Sequence, residues 1–459
     1  MVNESHHHVV NNDTQCYIPV PPSPVPPNST HHPGAKYDWD AKQQGFILGG
    51  FFYGYMATQI PGGFLADKFG ARLLLSAGML CTSFLTLFTE AAASWGAGWL
   101  ISLRILEGLG EGVTFPATAS FWARWAPPHE RARMIGFCFA GAQLGTVFAI
   151  PLTGLIIELS GWPSVFYWFG GVGCIWCFVF FVYARNTPNE FKGLSKAEKE
   201  YIMQHQTVPE KMPPIPWRQM IKSGPLWATL FGHVSFNWGF YVLFTCLPKY
   251  LKEVLGFDMK HNAIYSALPY LIMWISINFA TQTADYLIIS ETWSKTTVRK
   301  VFQALSEYPP AVLLALIPFF GCDGYAVITL VCLCCMFKVS RNSKVNLSIN
   351  IQACMFAAVN VNHADLAPAY TGLLFGITNM AANVPGFLAP EMVGAFTVDE
   401  STIATWRPVW YVSALIYLIG ATFYVIFASG ELQPWARFES RRNRNENIDD
   451  AHAPLLADG

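Results

Sequence analysis

Charge is what this sequence lacks. Of 459 residues only 13% are Asp, Glu, Lys or Arg, against ~25% in an ordinary soluble domain, while 53% are apolar and 15% aromatic. A water-soluble fold of that make-up would precipitate, so the soluble classes are excluded. A net charge of −1 excludes a global electrostatic pull on nucleic acid, and basic residues inform only by position. An apolar leader is lacking too: residues 1–32 hold no run of the kind that carries a chain across a membrane. The eleven cysteines lie mostly inside apolar runs, Cys174 and Cys177 included. That argues for small packing residues and against a redox or zinc centre. No nucleophile with its base, no phosphate loop and no metal quartet occurs, so neither enzyme chemistry nor a metal or cofactor is expected.

What the chain has is long apolar stretches, near 45–66, 71–92, 95–119, 134–158, 164–184, 226–250, 262–285, 300–320, 324–360, 369–394 and 408–429. Each approaches the ~20 residues that cross a bilayer as helix. These predict an all-α, multi-pass membrane protein with about 11 transmembrane helices. The ninth is uneven, because "KVSRNSKVNLSIN" over 338–350 interrupts what should be one helix. The expected organisation is a luminal or extracellular segment 1–43, a helical bundle 44–184, a cytoplasmic linker 185–224, a second bundle 225–429 and a cytoplasmic tail 430–459. Within the linker, "LSKAEKEYIMQH" reads as a short surface helix and "PEKMPPIPW" as a stiff spacer.

Lys and Arg set the orientation. One set of loops carries Lys68, Arg72, Arg124, Arg131, Arg133, Lys295, Arg299, the linker's bases and Arg437 to Arg444; the other holds only Lys36, Lys42, Lys249, Lys252, Lys260 and Arg407. The first set should be cytoplasmic, which puts the amino terminus outside or in the lumen. Three Asn-x-Ser/Thr sequons, at Asn3, Asn12 and Asn28, then lie on the side where glycans are attached. Since nothing before them could carry them across, a further span upstream is expected, which makes twelve in two halves.

The most informative stretch is "LISLRILEGLGEGVTFPA". Arg104, Glu107 and Glu111, spaced i, i+3 and i+7, share one helical face in mid-span. An ionisable group at that depth costs about 2.5–3.5 kcal/mol, so three together must face a cavity or one another. An Arg104–Glu107 salt bridge is one reading; it leaves Glu111 without a partner, beside Gly110 and Gly112, where backbone comes close to a neighbour or ligand. The other reading is functional. A carboxylate out of water takes up a proton more readily, and an arginine holds a carboxylate or phosphate bidentately. Protonating the glutamates would free the arginine for an anion. Tyr53, Tyr55 and Gln59 are expected near one face of the first span, as cavity lining or as packing.

"GGFLADKFGAR" forms a second motif, between two spans on the cytoplasmic side. Gly63 and Gly70 permit a tight turn, Asp67 can cap a helix N-terminus of the other bundle, and Lys68 and Arg72 hold the loop at the surface. This segment resembles the loop signature of the major facilitator superfamily, and "RILEG" resembles that superfamily's Arg-x-x-x-Gly motif in its fourth helix. More narrowly, "LRILEGLGEGVTFPA", "WAPPHERARMIGFCFAGAQLGTV" and "VNVNHADLAPAYTGLLFGITN" resemble its anion/cation symporter family, sialin-like members above all, over about Tyr37 to Trp435. That resemblance implies the major facilitator fold of two pseudo-symmetric bundles and proton-coupled transport of a small organic anion by alternating access. The substrate would be sialic acid, another acidic sugar or an acidic amino acid. It also implies that Arg104, Glu107 and Glu111 are the anion and proton residues. Asn237 stands where the family's glutamate transporters have arginine, which favours a sialin-like member.

Two departures from the family pattern stand out. Its first helix, with a substrate-binding arginine, is expected to be missing ahead of the sequons, and 338–350 reads as a retained intron or mispredicted exon ahead of a genuine insertion. The coupling ion is expected to be the proton, with sodium-dependent phosphate cotransport as the alternative and a non-transporting truncated variant as another. The lipid bilayer and the anion are the expected partners, and nucleic acid is not. His6 to His8, His31 and His32 read as solvated; His363 and Asp365 as gate or cap. "APLL" at 453–456 is a weak dileucine-like signal for a lysosomal, vesicular or plasma membrane address.

Overall fold

In a computed structural model, the chain is described over residues 37–39, 41–128, 130–205, 208–209, 212–255, 259–321, 323–334, 337–339, 347–349, 352–397 and 401–437. The three sequons, the terminal histidines, the dileucine-like segment and most of 338–350 lie outside the described residues. The amino-terminal half is built from α1 (Ala41–Phe69), α2 (Ala71–Thr86), α3 (Thr89–Trp95), α4 (Ala97–Glu111), α5 (Thr114–Trp125), α6 (Arg131–Ser160) and α7 (Trp162–Tyr183). After α8 (Lys196–Gln204) and α9 (Trp217–Ile221), the second half runs α10 (Gly224–Tyr241), a π-helical turn Val242–Cys246, α11 (Leu247–Glu253), α12 (Met259–Ile289) and α13 (Lys295–Leu316). It ends with α14 (Gly324–Cys334), α15 (Val359–Leu366), α16 (Thr371–Ala382), α17 (Pro385–Phe396) and α18 (Ile403–Phe427).

Every expected span has a helical counterpart, but several are broken. The stretch read as 95–119 is α4 and α5, parted at Gly112, and 71–92 is α2 and α3, bent by 51°. Among the described residues, five helical stretches, Arg131–Ser160, Trp162–Tyr183, Lys295–Phe320, Pro368–Phe396 and Ile403–Phe427, are long and apolar enough to cross a membrane singly, and the bent pair makes a sixth. The rest fall short because they are broken or because, like α1 with Gln59 and its glycines, they turn polar and small residues inward. Over 324–360 the helix ends at Cys334, and strands β1 (Phe337–Val339) and β2 (Leu347–Ile349) pair antiparallel, Lys338 opposite Ser348. A 3-10 turn, Gln352–Ala357, then leads back to helix. The surface helix in the linker is α8, whose start is fixed by the Ser195 hydroxyl accepting from the Glu198 amide.

Helix pairing is set by small residues. A Cβ on Gly54 would stand 2.0 Å from the Ile105 carbonyl oxygen, and one on Gly108 would stand 2.0 Å from that of Phe51, so α1 and α4 cross with backbones in contact. Gly63 of α1 meets Gly372 of α16 in the same way, joining the two halves. An apolar layer continues that seam, with Ile135 and Phe139 of α6, Ile277 of α12 and Phe375 of α16 in one cluster. The second half has its own core around Tyr250, Trp406 and Trp410. By contrast α7 presents Trp168, Ile175 and Phe178 outward, as a lipid-facing helix must.

Gly108→Val should therefore cost about 2–3 kcal/mol through overpacking. Gly98→Val, where nothing lies within 4 Å of the added carbon, should be near neutral. Thermal unfolding of both variants in detergent checks the contrast.

Candidate functional site

The fourth-helix cluster is divided. Arg104 Nη1 bonds Glu107 Oε2 at 3.1 Å, and Glu107, 1% exposed, also accepts from the Thr86 hydroxyl of α2 at 3.2 Å. Glu111, the last residue of α4, makes no ion pair or hydrogen bond among the described residues. Glu107 and the Tyr55 hydroxyl are the ionisable groups within its electrostatic reach. The flanking glycines serve close packing: a Cβ on Gly110 would press on the Gly78 carbonyl, and one on Gly112 on the Tyr55 carbonyl and the Thr58 hydroxyl. Helix α4 is thus brought against both α1 and α2 where Glu111 emerges.

Between the halves lies a cavity of about 160 Å³. Tyr55, Gln143, His233, Asn237, Asn360 and Asn379 supply much of its polar wall, and Phe115, Phe139 and Phe375 its apolar one. No lysine or arginine lines it among the described residues. Tyr55, 6% exposed, joins this cavity to Glu111. Gln59 lies just behind the wall and accepts from Asn379 Nδ2 at 2.9 Å, a bond from α1 to α16; its own Nε2 has no hydrogen-bond partner among the described residues. From there the polar chain continues, with Asn383 Nδ2 donating to the Asn379 carbonyl at 2.6 Å and the Tyr241 hydroxyl to Asn383 Oδ1 at 2.5 Å. Asn237 lines the cavity and donates to the Ala382 carbonyl at 2.9 Å. Tyr53 does not belong here. Two residues from Tyr55 it points the other way, half exposed, with its ring 6.5 Å from that of Phe387. A helix places i and i+4 on one face, not i and i+2.

Sequence reasoning singled out His363 but not His233. The Thr378 hydroxyl lies 2.7 Å from His363 Nε2 and 3.1 Å from His233 Nδ1, so two buried imidazoles share one threonine.

At one end of the helices the halves are locked. Asp67, 4% exposed, accepts from the Gly372 amide at 3.1 Å and the Leu373 amide at 2.8 Å, the first turn of α16. Its own carbonyl accepts from Arg124 at 2.7 Å. Gly70, with φ of +94°, turns the chain into α2, where the Arg72 guanidinium donates to the Phe181 carbonyl of α7 at 2.9 Å and its amide to Asn186 at 3.0 Å. The mirror of this arrangement was not foreseen. Asp285, at the end of α12, accepts from the Arg133 amide at 2.7 Å, in the first turn of α6. The signal was present as a repeat: Ala284-Asp285 closes α12 as Ala66-Asp67 closes α1. Between the two caps Asp365 bonds Arg299 at 2.8 Å and approaches Arg131 of the first half at 3.9 Å. Arg131 also donates to the Ala364 carbonyl at 3.1 Å. His363 and Asp365 therefore part company: one faces the cavity wall, the other the seam.

Two helical halves, each capping a helix of the other, around a polar cavity are the architecture of a two-bundle membrane transporter. The Major Facilitator Superfamily matches residues 16–390, and the chain belongs to that superfamily. It is 42% identical to sialin of Homo sapiens over 91% of this chain and 82% of that protein. It is 39% identical to a putative inorganic phosphate cotransporter of Drosophila melanogaster over 87% and 74%, and 35% identical to vesicular glutamate transporter 2 of Homo sapiens over 89% and 70%. Among solved structures, the proton:xylose symporter XylE superposes with a TM-score of 0.63 at 12% identity, covering 85% of this chain and 87% of that one. The E. coli fucose:proton symporter FucP gives 0.58 at 14% identity, covering 85% and 92%. At such identities the likeness is one of fold. The chain is a multi-pass membrane transporter and not an enzyme.

Removing Asp365 takes the ion-pairing carboxylate from two buried guanidinium groups. Asp365→Ala should cost about 3–5 kcal/mol, far more than Glu130→Ala, which frees only the exposed Arg133 pair. Thermal shift of the two purified variants tests this.

Proposed function

We propose that this chain moves a small organic anion, sialic acid or another acidic sugar, together with protons by alternating access. The observation that carries the reading is Glu111, a carboxylate without a partner, placed behind the cavity tyrosine and beside the Arg104–Glu107 pair. With both glutamates ionised, Arg104 is occupied by Glu107. Protonation removes that claim, and the guanidinium, 32% exposed, can turn to an anion. Anion and proton are then taken together and released together, which is symport. The names of its relatives, sialin and vesicular glutamate transporters, support an acidic organic cargo and a lysosomal or vesicular membrane.

Sodium-driven phosphate cotransport is the second reading, favoured by the phosphate cotransporter relatives at 38–39% identity. A non-transporting form is the third. Proteoliposomes separate them. A gradient of about one pH unit supplies ~1.4 kcal/mol per proton. Under the proposed reading it raises sialic acid accumulation about tenfold for one coupled proton, with or without sodium. Glu111→Gln should abolish that response while leaving gradient-free exchange in place. Accumulation driven by sodium alone would decide for phosphate, and folded protein that moves no anion would decide for a non-transporting form.

A further inference from the structure

Glu307 is a second carboxylate inside the membrane that the reading above leaves unused. It projects from the middle of α13 and has no exposed surface. One oxygen, Oε1, accepts from the Ser235 hydroxyl of α10 at 2.6 Å and from Gln303 Nε2, one turn earlier, at 2.9 Å. Among the described residues the other, Oε2, has no donor, and neither does Gln303 Oε1. From α18 it faces the Gly420 backbone, where a Cβ would stand 3.3 Å from Oε2, and Tyr424 within electrostatic reach. Arg299, two turns earlier on α13, is taken by Asp365. Among the described residues of α12, α14, α15 and the 3-10 turn at 352–357, no charged group reaches it.

A fully buried carboxylate with no counter-charge and two neighbouring acceptors without donors is short of one hydrogen. We propose that Glu307 is a proton-binding site of the second half, carrying its proton on Oε2, and that this proton is exchanged during the transport cycle. The added hydrogen turns Oε2 from an acceptor without a donor into a donor and removes the uncompensated charge. The surroundings are built to move when it leaves. Pro309 and Pro310 delete the amides that would bond the carbonyls of Leu305 and Ser306, so α13 is unpinned beside Glu307. On the facing side α10 runs into the π-helical turn Val242–Cys246 seven residues beyond Ser235. A bare carboxylate between such helices draws in water and parts them. Tyr424 is also within electrostatic reach of Arg299 and Asp365, which ties the site to the charged seam between the halves.

The exchange clause rests on the proton-coupled reading; the binding clause does not, and two measurements on the full chain separate them. Infrared difference spectra should show the carbonyl stretch of a protonated carboxylic acid in the parent chain, lost in Glu307→Gln and kept in Glu111→Gln. A band unchanged by Glu307→Gln overturns the site. If that variant does not fold, Ser235→Ala serves, because losing the 2.6 Å donor should shift the band to higher frequency, and an unshifted band overturns the site equally. In proteoliposomes Glu307→Gln should lose part of the acid stimulation of uptake. Loss of gradient response in Glu111→Gln alone, with Glu307→Gln like the parent, overturns the exchange and leaves the proton-coupled reading standing. No gradient response in the parent chain overturns both the exchange and that reading, while the infrared band still decides the site.

Discussion

The structure depends on an exchange of helix caps between its halves. Asp67, at the end of α1, satisfies the first amides of α16, and Asp285, at the end of α12, satisfies an amide in the first turn of α6. Each carboxylate meets the positive end of a helix dipole that belongs to the other half. A cap of this sort binds only while the helices abut. It is worth about 1 kcal/mol, enough to hold a conformation and little enough to release it. The apolar layer of Ile135, Ile277 and Phe375 and the glycine contact between α1 and α16 lie beside these caps, so packing and polar closure reinforce one another.

Above the closed ends, the polar wall of the cavity is neutral. Amides, two tyrosines and an imidazole line it, and the charges stand one layer back, on α4 in one half and α13 in the other. Placing ionisable groups behind a neutral wall keeps the cavity open to polar cargo while a change of protonation alters the helices that form it. Tyr55 is the contact between the two layers on the first side.

Much of this was legible in the sequence. Apolar run lengths gave the helices, because a bilayer fixes that length. The i, i+3, i+7 spacing gave the shared face of Arg104, Glu107 and Glu111, and Asp67 was readable as a cap because a carboxylate followed by a glycine ends one helix and faces the next. Three features were not legible. The breaks at Gly112 and at Val242–Cys246 depend on tertiary packing that no local pattern states. Tyr53 was misplaced by counting two residues as one face. Glu307, His233 and Asp285 were passed over because each lies alone in an apolar run, and only the fold brings Ser235, Thr378 or the start of α6 to it. The Ala-Asp repeat at 66–67 and 284–285 was the one signal present and unread.

The charged seam between the two caps has a consequence for how the molecule answers an electric field. Arg131 and Arg299 face Asp365 and Asp285 there, two positive charges against two negative ones, all buried. Parting the halves carries these four side chains as a neutral group. The membrane potential, which does about 2.3 kcal/mol of work per elementary charge per 100 mV, finds no net charge to pull on in that step. Voltage must then act on charges elsewhere, those of the cargo and its protons and of in-span carboxylates such as Glu111, so the parting of the halves is electrically silent at this seam.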